Sequence, residues 1–275
     1  MVEVFAPAKV NLTLHVTGRR DDGYHLLDSL VMFADVGDRI SVEPAEAVTL
    51  DVTGPLAAGV PTDASNLVHR AATMIGVPGA ITLEKNLPHA AGLGGGSSDA
   101  AATLKALSMV SGKPVPQGTT ALGADVPVCL AGVPARMSGI GEDVRPLPDL
   151  PDLHALLVNP NIPVLTAEVF KRLRHAENAP MPEGLPTGLS AMDFVQWLRI
   201  QRNDLQEPAI AAEPVVAQVF HTLSVTPGCL LTRMSGSGGT CFGLYADMET
   251  AQSAHGRLAE THPGWWVQAV VLKGA

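Results

Sequence analysis

Residues 87–101, LPHAAGLGGGSSDAA, place Gly92, Gly94, Gly95 and Gly96 ahead of two serines and an alanine-rich run. Each glycine costs extra conformational entropy on folding and gives up a side chain that could pack, so the stretch must return something else. Glycine amides that no Cβ shields, followed by the free N–H groups of a helix start, make an anion site suited to phosphate. A nucleotide triphosphate is the natural occupant; the alternative is a glycine-rich connection that only permits close packing. The two commoner phosphate loops do not fit. No lysine follows the glycines as GxxxxGK[ST] requires, and Ser97 stands where the third glycine of GxGxxG belongs.

Other groups able to do chemistry are scattered. In KVNLTLHV, residues 9–16, apolar Val10, Leu12, Leu14 and Val16 alternate with Lys9, Asn11, Thr13 and His15. A period of two predicts a strand with Lys9 and Asn11 on one face. In GYH, residues 23–25, Tyr24 and His25 follow a glycine turn and offer a stacking surface and hydrogen-bond partners to a flat ring. Asp125, in GADVPV, reads by residue type alone as a turn aspartate. SGSGG, at 235–239, lies between two strand-like runs and has the composition of a hairpin turn. No histidine pair has metal-ligand spacing, so no zinc site is expected.

The elements that must position these groups follow from pattern. LLDSLVMFADVGDRISVEP gives two strand-like runs, SNLVHRAATMIG a helix capped by Ser65 or Asn66, and AITLEKNLP a short strand leading into the glycine loop. SSDAAATLKALSMV combines serine caps, an acid in the first turn and good helix formers. The proline-rich RPLPDLPDLH can be neither helix nor central strand, and the domain boundary is placed there, at 1–150 and 151–275. Beyond it come a strand in LHALLVN, helices near 166–175, 190–198 and 214–223, two strands around SGSGG, a helix at 248–260 and a strand in WWVQAVVL. NAPMPEGLPTG, at 178–188, reads as a surface excursion. Met74, Met109, Met137, Met192 and Met234 read as core filler. Helices on one face of a mainly antiparallel sheet indicate α+β.

Composition bounds the partners. With 275 residues and 46% hydrophobic content the chain can bury a real core. Its net charge of −9 disfavours nucleic acid or an anionic membrane as the main partner, so positive potential for an anionic ligand must be local. Three cysteines without CxxC spacing fit a reducing cytoplasm, and no run has the makeup of a secretion signal or a membrane span. A soluble, cytoplasmic monomer or homodimer acting on a small molecule is expected.

PHAAGLGGGSSDAA resembles the PxxxGLGSS-type loop of the galactokinase, homoserine kinase, mevalonate kinase and phosphomevalonate kinase superfamily. APAKVNL at 6–12 and MSGSGGTCFGL at 234–244 stand in the order of its other two motifs. The likeness narrows, through PAKVNLTLHVTGRRDDGYHLLDSLVMFADVGDRI and LGADVPVCLAG, to a branch whose alcohol substrate carries a diphosphocytidyl group in non-mevalonate isoprenoid synthesis. The resemblance implies a two-domain α+β kinase: an amino-terminal mixed sheet with helices, a ferredoxin-like carboxy-terminal domain, and the active site in the cleft between. It implies Asp125 as the base that takes the hydroxyl proton and Lys9 as its partner. Asn11 then holds the reacting hydroxyl or a phosphate, Tyr24, His25 and Phe170 serve the cytidine side, and Gly236 and Gly238 face the substrate's phosphates. Gly92, Gly94, Gly95, Gly96, Ser97 and Ser98 cradle the ATP triphosphate, with Ser98 also near Mg²⁺ and Asn66 and Lys85 near the adenine. Two departures stand out: Ala90 and Ala91 where relatives often carry glycine, and a short, proline-rich connection before Asp125.

Overall fold

The computed structural model describes residues 1–185 and 187–274. Its hub is one 19-residue strand, β3 (His25–Glu43), where the sequence predicts two runs. The intervening Gly37 does not turn the chain. It lets the backbone of β1 (Val2–Asn11) pass so closely that a Cβ there would lie 2.2 Å from the Ala6 carbonyl oxygen.

One edge of β3 carries β1 and β2 (His15–Arg19), both antiparallel. The single strand expected over 9–16 is thus broken at Leu12–Leu14, because four steps along this edge face three along β3 between the pairs Asn11–Val31 and His15–Asp28. The Thr13 hydroxyl oxygen fills the gap by accepting from Leu30 N at 2.9 Å. Lys9 and Asn11 share a face as the alternation requires, and that polar face is buried as well.

β4 (Thr49–Thr53) and β5 (Ala80–Glu84) extend the sheet beyond β3, with β4 and β5 parallel to each other. Between them α1 (Leu67–Ile75) is capped by Asn66, not Ser65, through its side-chain bond from Val68 N. α2 (Gly95–Ser111) packs across β1, β3 and α1. Its start departs from expectation: Gly94, left-handed at φ +62°, precedes the first helical residue, and no side chain caps it. Ser97 and Ser98 lie inside the first turn, and Asp99 lies beyond it. A short 3₁₀ turn, Thr119–Ala121, leads to α3 (Val126–Ala131), and β6 (Ala135–Gly139) and β7 (Asp143–Pro146) form a hairpin against β3.

The carboxy-terminal half supplies β8 (Leu153–Asn159), α4 (Thr166–Lys171), α5 (Ala191–Arg199), an unforeseen α6 (Gln206–Ala212) and α7 (Val215–Ser224). β9 (Leu231–Met234), β10 (Cys241–Tyr245), α8 (Met248–Thr261) and β11 (Trp266–Lys273) complete it. The strand order β11-β8-β10-β9, all antiparallel, with α7 and α8 as the helical crossovers, is the ferredoxin-like βαββαβ arrangement. β11 also pairs with β3 at Ala34 and Phe33, so one 11-stranded sheet runs through both halves of an α+β fold. The proline-rich segment after β7 is irregular as expected, yet Leu147 and Leu150 are buried in a core that spans it.

Three findings concern packing. The 178–188 segment, of which Pro186 lies outside the described residues, is irregular and largely exposed, the surface excursion that the sequence predicts, but it is pinned at one point. Met181 is buried, its N–H donates to Asp28 Oδ2 at 2.7 Å, and Arg136, paired with Asp28, donates to the carbonyls of Met181 and Pro182. The sequence gives no hint of this strap because its partners lie some 150 residues upstream or on β6. α4 ends at Lys171, short of the expected 175. Met109 and Met192 are exposed on helix surfaces, where an unbranched side chain only fills the helix pattern.

Candidate active site

The predicted chemistry converges on one large cavity of about 1430 Å³ between the two halves. β1 ends on its floor. Lys9 is buried, and its ammonium donates to Asp125 Oδ2 at 2.7 Å across 116 residues of sequence. Asp125 sits at the amino-terminal end of α3 with about a third of its side chain exposed, so the carboxylate is pinned on one side and accessible on the other. The proline-rich connection before it therefore still delivers this aspartate to the lysine. Its charge and burial together push the neighbouring Cys129 thiol up to about 12, burial first.

Asn11 shows its orientation through a chain of bonds. Ser29 Oγ donates to the Thr13 carbonyl at 2.5 Å, so it must accept from Asn11 Nδ2 at 2.8 Å. That fixes Asn11 Oδ1 as a buried acceptor with no partner among the described residues, on the cavity wall. A buried acceptor left unpaired costs about 1–3 kcal/mol; a ligand hydroxyl would remove that cost.

The glycine loop lies along the same wall. Ser98 N is bonded to Gly94 O, which leaves the N–H groups of Gly95, Gly96 and Ser97 without protein partners among the described residues. Gly92 marks where the loop meets SGSGG. It is left-handed at φ +72°, and a Cβ would fall 2.3 Å from the Ser235 carbonyl oxygen. Ser235 stitches the two halves: it accepts from Asn11 N at 3.0 Å and donates to Gly92 O at 2.8 Å. Asn203 holds SGSGG from behind, donating to the carbonyls of Met234 and Gly236. Ala90 takes a left-handed φ of +48°, the position where relatives' glycine was expected, and its carbonyl accepts from Val164 N.

Under the loop sits an unanticipated cluster. Lys85 donates to Asp38 Oδ2 and, at 3.1 Å, to Asp99 Oδ2; all three are buried. Asp38 Oδ1 accepts from Asn86 N and Leu87 N, which ties β3 to the loop's approach. Burial pushes the Asp99 carboxyl up to about 8; Lys85 pulls it down, and the facing Asp38 pushes it up further. Burial also opposes the Lys85 ammonium, but Asp99 and Asp38 outweigh it and hold its pKa above the usual value. Asp99 is thus favoured in its protonated form beside the Lys85 ammonium.

At the far end the His25 ring stacks on Phe170 at 4.7 Å between centroids and 20° between planes. Burial and then Arg19 lower the His25 pKa, favouring a neutral imidazole. The pair is already closed on itself, so a base can lie against the stack but not between these two rings. Tyr24 projects beside them, 60% exposed.

The cavity wall includes Lys9, Asn11, Tyr24, His25, Asn66, Lys85, Gly92, Gly94, Gly95, Gly96, Ser97, Asp125, Phe170 and Gly236. Ser98 and Gly238 are not on it. Ser98 donates its hydroxyl to Pro7 O at 2.8 Å, fastening α2 to β1, and Gly238 packs on Met234, Ala209 and Val164. Asn66 and Lys85 reach the wall with committed side chains, the one as a helix cap that also donates to Pro61 O, the other in the buried cluster. Among the described residues no three His, Cys, Asp or Glu side chains gather into a metal site. Ser29, Asp38, Asp99, Asn203 and Ser235 escaped sequence reasoning as site builders; each works through a partner distant in sequence.

The family model for the GHMP kinases N terminal domain matches residues 63–134, and that for GHMP kinases C terminal matches 188–264. A 4-diphosphocytidyl-2-C-methyl-D-erythritol kinase of Dinoroseobacter shibae is 56% identical over 270 residues, 98% of this chain and 94% of that one. A protein of the same name from Cereibacter sphaeroides is 54% identical with both chains covered in full. Among solved structures, a 4-(cytidine 5′-diphospho)-2C-methyl-D-erythritol kinase superposes with a TM-score of 0.76 at 35% identity, covering 99% of this chain and 100% of that one. A homoserine kinase from Cytophaga hutchinsonii, 19% identical with a TM-score of 0.67 over 99% and 96% of the two chains, shares the fold.

Proposed function

The chain belongs to the GHMP kinases, within them to the 4-diphosphocytidyl-2-C-methyl-D-erythritol kinases, and we propose that it moves the γ-phosphate of ATP to the 2-hydroxyl of that substrate with Asp125 as general base. Phosphoryl transfer asks the protein for alignment, charge neutralisation and a proton acceptor. The observation that carries the assignment is the 2.7 Å contact of Lys9 with Asp125, on the same wall as the three free amides of the glycine loop.

In this reading the amides of Gly95, Gly96 and Ser97 receive the triphosphate, and Lys9 faces the transferring group while orienting Asp125. Asn11 Oδ1 accepts from the substrate, and Asp125 takes the proton of the attacking hydroxyl. Oxygen donors suffice for Mg²⁺, which binds largely through phosphates and water. The Ser97 hydroxyl and Asp125 are the wall groups that would help hold it, and it would spread the charge of the phosphoryl oxygens. Ser98, its hydroxyl donated to Pro7 O, does not face the cavity.

Asp125→Asn keeps the shape of the side chain and removes its basicity. The variant is expected to lose about 10²- to 10⁴-fold in kcat with ATP affinity little changed. A parallel loss of ATP binding would instead make Asp125 an organiser of the nucleotide site.

A further inference from the structure

The net charge of −9 makes every uncommitted cation around the cavity informative. Lys9 is held by Asp125, Lys85 by Asp38 and Asp99, and Lys171 by Glu168 at 2.6 Å. Arg20, just outside, pairs with Asp22 on the wall at 2.7 Å. Arg19 and Arg174 also line the cavity, and among the described residues neither has a carboxylate within 4.0 Å or a hydrogen-bond acceptor for its guanidinium.

Their positions are correlated. The β2–β3 register sets Arg19 opposite His25, so the two side chains leave the same face of the sheet. His25 stacks on Phe170, and Arg174 follows Phe170 by four residues, just past the end of α4. Two unpaired guanidinium groups therefore line the same cavity as the aromatic stack, one carried by each half of the molecule. A guanidinium fork matches phosphate oxygens in a bidentate way that an ammonium does not. With His25 favoured neutral, the stack itself contributes a flat apolar surface, and the anion-binding capacity at this end resides in the arginines.

We propose that Arg19 and Arg174 form a two-sided clamp for the diphosphate that links a pyrimidine nucleoside to the reacting alcohol, an inference that rests on the kinase reading above. A base against His25 and Phe170 leaves its diphosphate one ribose away, between the two arginines, and directs the alcohol toward Asn11 and Asp125. The clamp makes the diphosphate, and not the base alone, the feature by which the substrate is selected.

The test compares cytidine 5′-diphosphate with cytidine by calorimetric titration, with the nucleotide site filled by saturating Mg·ADP, in the wild-type protein and in Arg19→Gln, Arg174→Gln and the double variant. The wild type is expected to favour the diphosphate, and each substitution to cut that preference about 10- to 100-fold, the range of a charged hydrogen bond, with cytidine affinity retained. Arg174→Lys should restore part of the preference, and added salt should shrink it in the wild type. Both side chains are exposed, so thermal unfolding should not shift. An unchanged diphosphate-to-cytidine ratio in the double variant overturns the clamp. Steady-state turnover separates this from the kinase reading: if the wild type phosphorylates the diphosphocytidyl substrate and the variants keep its KM, the clamp falls and the kinase stands. If the wild type shows no turnover the kinase reading falls, and the ratio still decides the clamp.

Discussion

At the scale of single residues, Asp99 carries a consequence that its neighbours in sequence conceal. In SSDAAATL it reads as an acid favouring a helix start, yet it lies buried beneath the glycine loop against Lys85 and Asp38. A carboxyl held at about 8 in the folded protein and near 4 in the unfolded chain binds its proton more tightly when folded. Its contribution to stability is therefore full at low pH and is lost as pH rises, the decline running from about 4 to about 8 and levelling above. Urea unfolding across that range should show the wild type losing stability relative to Asp99→Asn, whose neutral amide mimics the protonated acid. A constant difference between the two proteins would place Asp99 in the ionised state throughout. No spacing rule reveals this cluster, since Asp38, Lys85 and Asp99 come from β3, the end of β5 and α2. Lys9 and Asn11 were legible as partners on one face because a strand's period is fixed by its backbone. Lys9 meeting Asp125 followed only from the likeness to a family.

At the scale of elements, the contact between the two glycine-rich loops is what holds the cavity's shape. The sequence shows both loops, but not that Gly92 is buttressed by Ser235. Replacing Gly92 with alanine combines two penalties, a left-handed backbone and a Cβ 2.3 Å from a carbonyl oxygen. Gly59 is also left-handed, with nothing within 4 Å of the same imagined atom, and so isolates the first penalty. Gly59→Ala should cost about 1–2 kcal/mol, the left-handed term alone. Gly92→Ala should cost clearly more and raise the KM for ATP, measured by denaturant unfolding and steady-state kinetics. Equal costs would mean that the loops do not press on each other. The elements read correctly from pattern, α1, β5, β8 and β11 among them, are those whose own periodicity and caps decide them. Those misread, the long β3 and the break in β1–β2, are decided by partners, a backbone passing Gly37 and a hydroxyl filling a bulge, and the anchoring of the exposed 178–188 loop, which no pattern shows, is decided by the buried Asp28–Arg136 pair.

For the whole molecule, the continuous sheet and a shared middle core couple the two halves. Val10, Met32 and Leu93 from one half pack with Leu157, Phe194 and Phe242 from the other. All three tryptophans, Trp197, Trp265 and Trp266, lie in the carboxy-terminal half, so their fluorescence reports that half while far-ultraviolet dichroism reports the whole chain. The two transitions should coincide, and Phe194→Ala should shift both together by about 3–5 kcal/mol; separate midpoints would show halves that unfold independently. The composition break at 146–151 marks a change of element, not an end of the core. That architecture brings the base, the glycine amides and the aromatic stack into a single cavity, and the activity follows from their joint presence. ADP release measured with ATP, Mg²⁺ and 4-diphosphocytidyl-2-C-methyl-D-erythritol, beside mevalonate, homoserine and galactose, tests this most directly. Turnover on the diphosphocytidyl substrate alone is the predicted result; turnover on any of the others at a comparable rate, or on none, would contradict it.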